Sequence, residues 1–233
     1  MDKVAPYLSI VVPTYNEREN VVRLAGCLAD VMKDRSYELI FVDDSTDDTP
    51  FILDKLAASN PRVRCMHRTN ERGLGTAVVK GFEACRGHIV AVMDADLQHP
   101  PELLPMMLKV IDSHADIVIP SRFIPGGGDG GLNLFRKTIS GTARYMGKVL
   151  LKPLRRIADP TSGFFMFKKE VIEGVNLEPV GWKILIEVLI KGHYLNVAEI
   201  PYHFEARKIG ESKMSLKEQL NYVRHVIKLL NHD

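Results

Sequence analysis

Through the first half of this chain, short apolar runs alternate with amphipathic stretches, and that alternation narrows the fold more than any other feature. Candidate strands lie at 7–13 (YLSIVVP), 37–43 (YELIFVD), 62–67 (RVRCMH), 88–94 (HIVAVMD) and 115–121 (ADIVIPS). Helical patterns fill the gaps, over about 17–33, 48–59, 74–86 and 101–113. Asp48 and Thr49 before Pro50, and the pair Pro100-Pro101, mark helix starts, because proline suits the first turn of a helix. Repeated β-α-β units cross over right-handed and give a mostly parallel sheet with helices on both faces. The chain is therefore expected to be an α/β protein.

After residue 121 the rhythm changes. A glycine-rich segment, GGGDGG (126–131), is expected to be a flexible lid or linker. A basic helical stretch follows to about 157, then a short strand at 163–169 (GFFMFKK), a helix at 182–192 and a strand near 195–204. Residues 205–214 read as a loop and 215–231 as a final amphipathic helix. With 233 residues, 45% of them hydrophobic, the chain suits a single domain with a real core. Three cysteines, Cys27, Cys65 and Cys85, with no C-x-x-C, argue against a disulfide framework or a zinc site and for a reducing setting. The apolar run near the N-terminus is too short for a signal peptide, and no run of 18 apolar residues suggests a membrane-spanning helix.

Ligands of open α/β sheets bind beyond the carboxyl ends of the strands. Three such ends carry polar clusters: PTYNE after the first strand, DDSTDD after the second and DADLQ after the fourth. At the second, Asp43 or Asp44 could accept hydrogen bonds from a base or ribose, or the acidic group could simply cap a helix and solvate a turn. Tyr15 could flank a base, and Glu17 could accept from a ribose hydroxyl. At the fourth, Asp94 and Asp96 stand two residues apart. Two carboxylates about 4 Å apart repel by roughly 4 kcal/mol at an effective dielectric near 20, and a divalent cation reverses the sign. The oxygen donors of Asp94, Asp96 and the Gln98 side chain suit Mg²⁺ or Mn²⁺, with diphosphate oxygens and water completing the shell. The alternative is a capping turn before the helix at Pro101. Gly126, Gly128 and Gly131 formally match G-x-G-x-x-G, but a dinucleotide fingerprint follows the first strand, where VVPTYNE has no glycine.

Between Gly130 and Ile157 stand Arg136, Lys137, Arg144, Lys148, Lys152, Arg155 and Arg156, with no acidic residue. Leu134, Phe135, Ile139, Met146, Val149, Leu150 and Leu154 are interleaved. A basic amphipathic helix reads as a membrane-surface element, and each basic residue near an anionic leaflet adds about 1 kcal/mol. The aromatics form no stacking series, which argues against nucleic acid. Leu216, Leu220, Val223, Ile227 and Leu230 form one stripe of the final helix, suited equally to core packing or to membrane contact.

Taken in order, SIVVPTYNE, FVDDSTDDT, RGLGTAVVKGF, VMDADLQHPPE, PSRF, DPTSGFFMF, GWKILIE and GESK resemble dolichol-phosphate mannose synthases from about Tyr7 to Lys213. That resemblance implies the GT-A nucleotide-sugar-binding fold, with a nucleotide-binding half (1–121), an acceptor half (122–233) and peripheral amphipathic helices. It implies inverting transfer of mannose from GDP-mannose to dolichyl or another polyprenyl phosphate. Pro13, Tyr15, Glu17, Val42 and Asp44 then match base and ribose contacts. Asp94, Ala95 and Asp96 match the donor-binding strand end, with Asp96 and Gln98 the direct metal ligands. Arg122, Lys183, Arg207 and Lys213 match cations around the phosphates and sugar, with Asp96, Arg122, Arg207 and Lys213 carrying the catalytic step. Asp159 lines the acceptor side or caps a turn. The implied location is the cytoplasmic face of a membrane, endoplasmic reticulum in a eukaryote or plasma membrane in a prokaryote. A membrane-anchoring subunit is a further candidate partner. No Q-x-x-R-W motif occurs, which argues against a processive polymerase. The rival readings are glucosyl transfer from UDP-glucose and a non-catalytic nucleotide-binding subunit.

Overall fold

The computed structural model describes residues 5–128, 145–204 and 216–230. In chain order the main elements are β1 (Leu8–Thr14), α1 (Val21–Val31), β2 (Tyr37–Asp43), α2 (Thr49–Ser59), β3 (Val63–His67), α3 (Leu74–Ala84), β4 (Ile89–Val92), α4 (Leu104–Ser113) and β5 (Ile117–Ser121). They continue with α5 (helical over 145–150), β6 (Phe165–Lys168), α6 (Ile184–Lys191), β7 (Val197–Pro201) and α7 (Leu216–Leu230). Every strand expected from the apolar runs is present. The first helix starts later than its periodicity suggests, because the Glu17 carbonyl accepts from the amides of Asn20 and Val21 and closes a tight turn first.

Seven strands form one sheet in the order β3-β2-β1-β4-β6-β5-β7. All neighbouring pairs are parallel except β4–β6 and β5–β6, so β6 alone runs against the others. The strands read as continuous apolar runs because both faces are covered. Leu8, Ile10, Val12, Leu39, Phe41 and Met166 point to one face and meet α1, α2 and α4. Val11, Ile40, Val42, Val90, Phe165 and Phe167 point to the other and meet α3, α6 and α7. Successive residues of one strand thus enter different cores, as the period of two requires.

Two expectations change. Gly126–Gly128 is no loose linker: it turns tightly against β5 and β7. The Gly128 amide donates to the Tyr202 carbonyl at 3.0 Å, and its own carbonyl accepts from the Phe204 amide at 2.9 Å. A Cβ on Gly128 would lie 2.4 Å from Nδ1 of His203, so a larger residue there would have to displace the exposed His203 ring. Gly131 lies outside the described residues. The basic stretch is helical over 145–150 and tightens into a 3-10 turn at Lys152–Arg156, where Pro153 denies the α-helix an amide. Its earlier residues, Arg136, Lys137 and Arg144 among them, lie outside the described residues.

Helix α7 carries two apolar faces. Tyr222, Val226 and Leu229 are buried, whereas Leu220, Val223, Ile227 and Leu230 are exposed. From Leu220 on, the stripe singled out in the sequence is therefore the outward one; the side chain of Leu216 is outside the described residues. No helix among the described residues is long and apolar enough to cross a membrane.

Candidate active site

At the carboxyl end of the parallel strands, two residues adopt a left-handed backbone: Asn16 (φ 56°) after β1 and Leu97 (φ 62°) after β4. Asparagine tolerates this conformation, but a leucine pays steric strain there, and such strain clusters at functional sites. Asn16 ties two loops together. Its amide donates to Ser45 Oγ at 2.8 Å, and its Oδ1 accepts from the Thr46 amide at 2.9 Å. The positive φ at Leu97 folds the chain back so that the Gln98 amide donates to Asp96 Oδ1 at 3.0 Å.

Asp43 is buried and held from three sides. Oδ1 accepts from Thr14 Oγ1 at 2.8 Å and Ser45 Oγ at 2.5 Å, and Oδ2 lies 3.1 Å from His67 Nδ1. Asp44 faces a different partner. Arg68 grips it bidentately, Nε to Oδ1 at 2.7 Å and a terminal nitrogen to Oδ2 at 2.5 Å, and the Gly73 amide adds a third bond at 3.0 Å. Asp47 steadies the turn before α2: its Oδ1 accepts from the Thr49 amide at 3.0 Å. Tyr15 is exposed. Glu17 is half-buried and accepts from Asn20 Nδ2 at 2.8 Å. Val42 is buried in the core, and Pro13 pairs with it in register across β1 and β2.

The tip of β4 is open. The Asp94 side chain is 40% exposed, whereas Ala95 and Asp96 are buried. His99 supports the turn: its Nδ1 accepts from the Asp94 amide at 3.0 Å, and its ring stacks on Phe164 at 5.1 Å. That bond holds the imidazole plane in place against the strand end. Gly163 lies against the same carboxylate. A Cβ there would stand 3.6 Å from Asp94 Oδ2 and 3.3 Å from His99 Cε1, so glycine keeps open the space beside Asp94. An all-oxygen donor set with this space fits a hard divalent cation such as Mg²⁺ or Mn²⁺.

The segment Asp159–Gly163 organises the rest. Asp159 is fully buried and accepts two bonds from Arg122, at 2.9 Å from Nε and 3.2 Å from a terminal nitrogen. Glu199 steadies it by accepting the amides of Ala158 and Asp159 at 2.7 and 2.9 Å. The Thr161 carbonyl accepts from Lys183 Nζ at 2.7 Å. Burial, and then the charge of Arg122, pull the Lys183 ammonium down to about 8, against the opposing charges of Asp159 and Asp94. Tyr202 is pushed up by burial and lies in the field of Arg122, Asp159, Asp94 and Asp96. The fold thus gathers Asp94, Asp96, Arg122 and Lys183, distant in sequence, around one short loop. Arg207 and Lys213 lie outside the described residues. Sequence reasoning missed Arg68, His99 and Gly163, whose only signals were an arginine just past a strand, a histidine before a proline pair and a glycine beside Ser162. Asp159 pairs with Arg122 and also accepts from Thr161 Oγ1 at 3.3 Å within its own turn.

A mostly parallel sheet with one reversed strand, carrying an acidic, oxygen-rich strand tip beside two part-buried cations, is an arrangement of the GT-A type. Residues 9–175 match the model for glycosyl transferase family 2. The chain belongs to that family.

Among its relatives, the dolichol-phosphate mannosyltransferase of Pyrococcus furiosus is 43% identical over 223 residues, covering 96% of this chain and 63% of that protein. The chain thus spans under two thirds of that relative's length. The dolichol-phosphate mannosyltransferase of Saccharomyces cerevisiae is 38% identical, covering 95% of this chain and 86% of that protein. Among solved structures, glucosyl-3-phosphoglycerate synthase from Mycobacterium tuberculosis, in complex with Mn²⁺ and UDP, superposes with a TM-score of 0.69. Its identity is 21%, over 97% of this chain and 79% of that one, a likeness of fold.

Proposed function

We propose that this protein transfers mannose from GDP-mannose to dolichyl or another polyprenyl phosphate, with inversion, giving a β-linked lipid phosphate sugar. The observation that carries this reading is the acidic tip of β4, exposed at Asp94 and backed by the buried Asp96, standing beside the Arg122–Asp159 pair and Lys183, in a chain with 43% identity to a dolichol-phosphate mannosyltransferase. A phosphate oxygen of the acceptor forms a bond to the anomeric carbon as the bond to the donor diphosphate breaks, and the electron pair leaves with GDP. The acceptor oxygen is already ionised near neutral pH, so no general base is needed. A Mg²⁺ or Mn²⁺ ion held by Asp96 and Gln98, with Asp94 alongside, would neutralise charge on the departing diphosphate.

The chain's own residues then position and shield. Asp159 orients the Arg122 guanidinium, and Lys183 supplies a second cation near the acidic tip. Arg207 and Lys213 complete the grip on acceptor and donor phosphates, which otherwise repel each other. Catalysis rests on placement and preorganised charge. Tyr15, Glu17 and the Asp44–Arg68 pair receive the nucleoside, alongside Pro13 and Val42.

The acceptor's lipid calls for a membrane surface. Tyr145, Val149 and Leu150 are exposed on α5 beside the exposed Lys152, Arg155 and Arg156. Helix α7 packs on α5 so closely that a Cβ on Gly147 would lie 2.6 Å from the Tyr222 hydroxyl oxygen, and it presents its second apolar stripe outward. These helices rest on the cytoplasmic face of a membrane, or on a membrane-anchoring subunit. The deciding experiment is transfer of labelled sugar from GDP-mannose and from UDP-glucose to a short polyprenyl phosphate, with and without chelator. Mannose transfer that chelator stops and GDP inhibits better than UDP is the expected result. Preference for UDP-glucose overturns the donor, and binding without transfer overturns the enzyme.

A further inference from the structure

Far from the acidic tip, three side chains converge on the edge of the sheet. Cys65 and His67 stand two residues apart on β3, so their side chains share a face. Asp54 reaches them from α2: its Oδ1 accepts from Cys65 Sγ at 3.3 Å and lies 3.0 Å from His67 Nε2. The three donor atoms all fall within 4.8 Å of one another. From this arrangement we propose a zinc site in which Cys65 Sγ, His67 Nε2 and an Asp54 carboxylate oxygen bind one Zn²⁺, with water as the fourth ligand.

Zinc bonds of about 2.0–2.3 Å in a tetrahedron need donor atoms only some 3.3–3.8 Å apart, so small side-chain shifts suffice. The other face of His67 is already set for this role. Its Nδ1 lies 3.1 Å from Asp43 Oδ2, and Asp43 is itself fixed by Thr14 and Ser45. A carboxylate behind a metal-binding histidine settles its tautomer and aims the other nitrogen at the ion. A thiolate and imidazole favour zinc over magnesium or manganese. Thiolate and carboxylate together neutralise the dication. Without a cation the Cys65 thiol is pushed up to about 11, by burial first and then by its hydrogen bond to Asp54.

The lack of C-x-x-C had argued against zinc. The missing ligand comes instead from a helix eleven residues upstream of Cys65, which no linear spacing reveals. By strand order the site is three strands from β4, about 14 Å at the usual inter-strand spacing, so it is separate from the proposed donor metal. It ties α2 to the edge strand and, through His67 and Asp43, to the end of β2.

Titration of the reduced full chain with Co²⁺ tests this, because only a thiolate ligand gives a near-ultraviolet charge-transfer band and the oxygen-only site at Asp96 is silent. The expected result is one equivalent of band-forming Co²⁺, displaced by Zn²⁺. It persists in Cys27→Ser and Asp96→Ala and is lost in Cys65→Ser and His67→Gln. Asp54→Asn, at an exposed position, should keep the fold and weaken binding by about 10–100-fold. No band in the folded wild type overturns the site, and so does a band that survives Cys65→Ser. Either result leaves the transfer assay, and the reading of the acidic tip, untouched.

Discussion

The two ends of the central sheet differ in a way that volume alone would misreport. At the amino end of the parallel strands lies a cleft of about 1050 Å³, lined by Tyr7, Ile89, Asp112, Lys168, Lys169 and Glu170 among others. Its charges answer one another: Tyr7 donates to Asp112, Lys168 pairs with Asp116 at 2.9 Å, and Lys169 donates to the Cys85 carbonyl at 2.7 Å. The carboxyl end instead gathers like charges, Lys183 beside Arg122 and Asp94 near Asp96, and stores strain at Leu97. The two ends thus differ in how closely charges are gathered around one loop, rather than in the size of the hollow.

That contrast can be broken by mutation. The largest effect is expected at Asp96→Ala: transfer should fall about a thousandfold, the upper end for losing one electrostatic stabiliser, with an unchanged thermal melt. Full activity in that variant would end the metal role at the strand tip. Next comes Asp159→Ala, which leaves Arg122 buried without its carboxylate and should destabilise the fold by about 3–5 kcal/mol in urea unfolding. The double variant Arg122→Met/Asp159→Leu should recover most of that stability but not the activity. Equal losses of stability in both variants would mean that the pair is merely structural.

Gly163→Ala is expected to cost about tenfold in activity and to raise the metal concentration needed for half-maximal rate, since the new methyl crowds Asp94. An unaltered metal dependence would show that the space beside Asp94 is unused. A subtler test is pH. Lys183 is charged below about 8 and neutral above it, so donor kcat/KM should fall as pH rises through that value, and Lys183→Arg should move the fall to higher pH. An identical profile in both proteins would exclude Lys183 as a phosphate-facing cation. The smallest effect belongs to the amino end, where Lys168→Ala should change stability by no more than about 1 kcal/mol and leave transfer as it was. A marked loss of activity there would reverse the contrast.

The apolar runs and helical periodicities of the first 121 residues located five strands and four helices, because local pattern dictates which face of each element must be buried. The strand-end clusters pointed to Asp94, Asp96 and Gln98 as candidate ligands, since parallel sheets bind at their carboxyl ends. Three things depended on the folded chain. The reversed β6 brings DPTSG beneath Arg122 and Lys183. The exposed stripe of α7 is the one opposite its core contacts. Asp54, Cys65 and His67 meet only because α2 lies along β3. Sequence carries the period of an element and the chemistry of a motif. Partners drawn from separate elements are set by how the layers pack, a long-range outcome that no local spacing records.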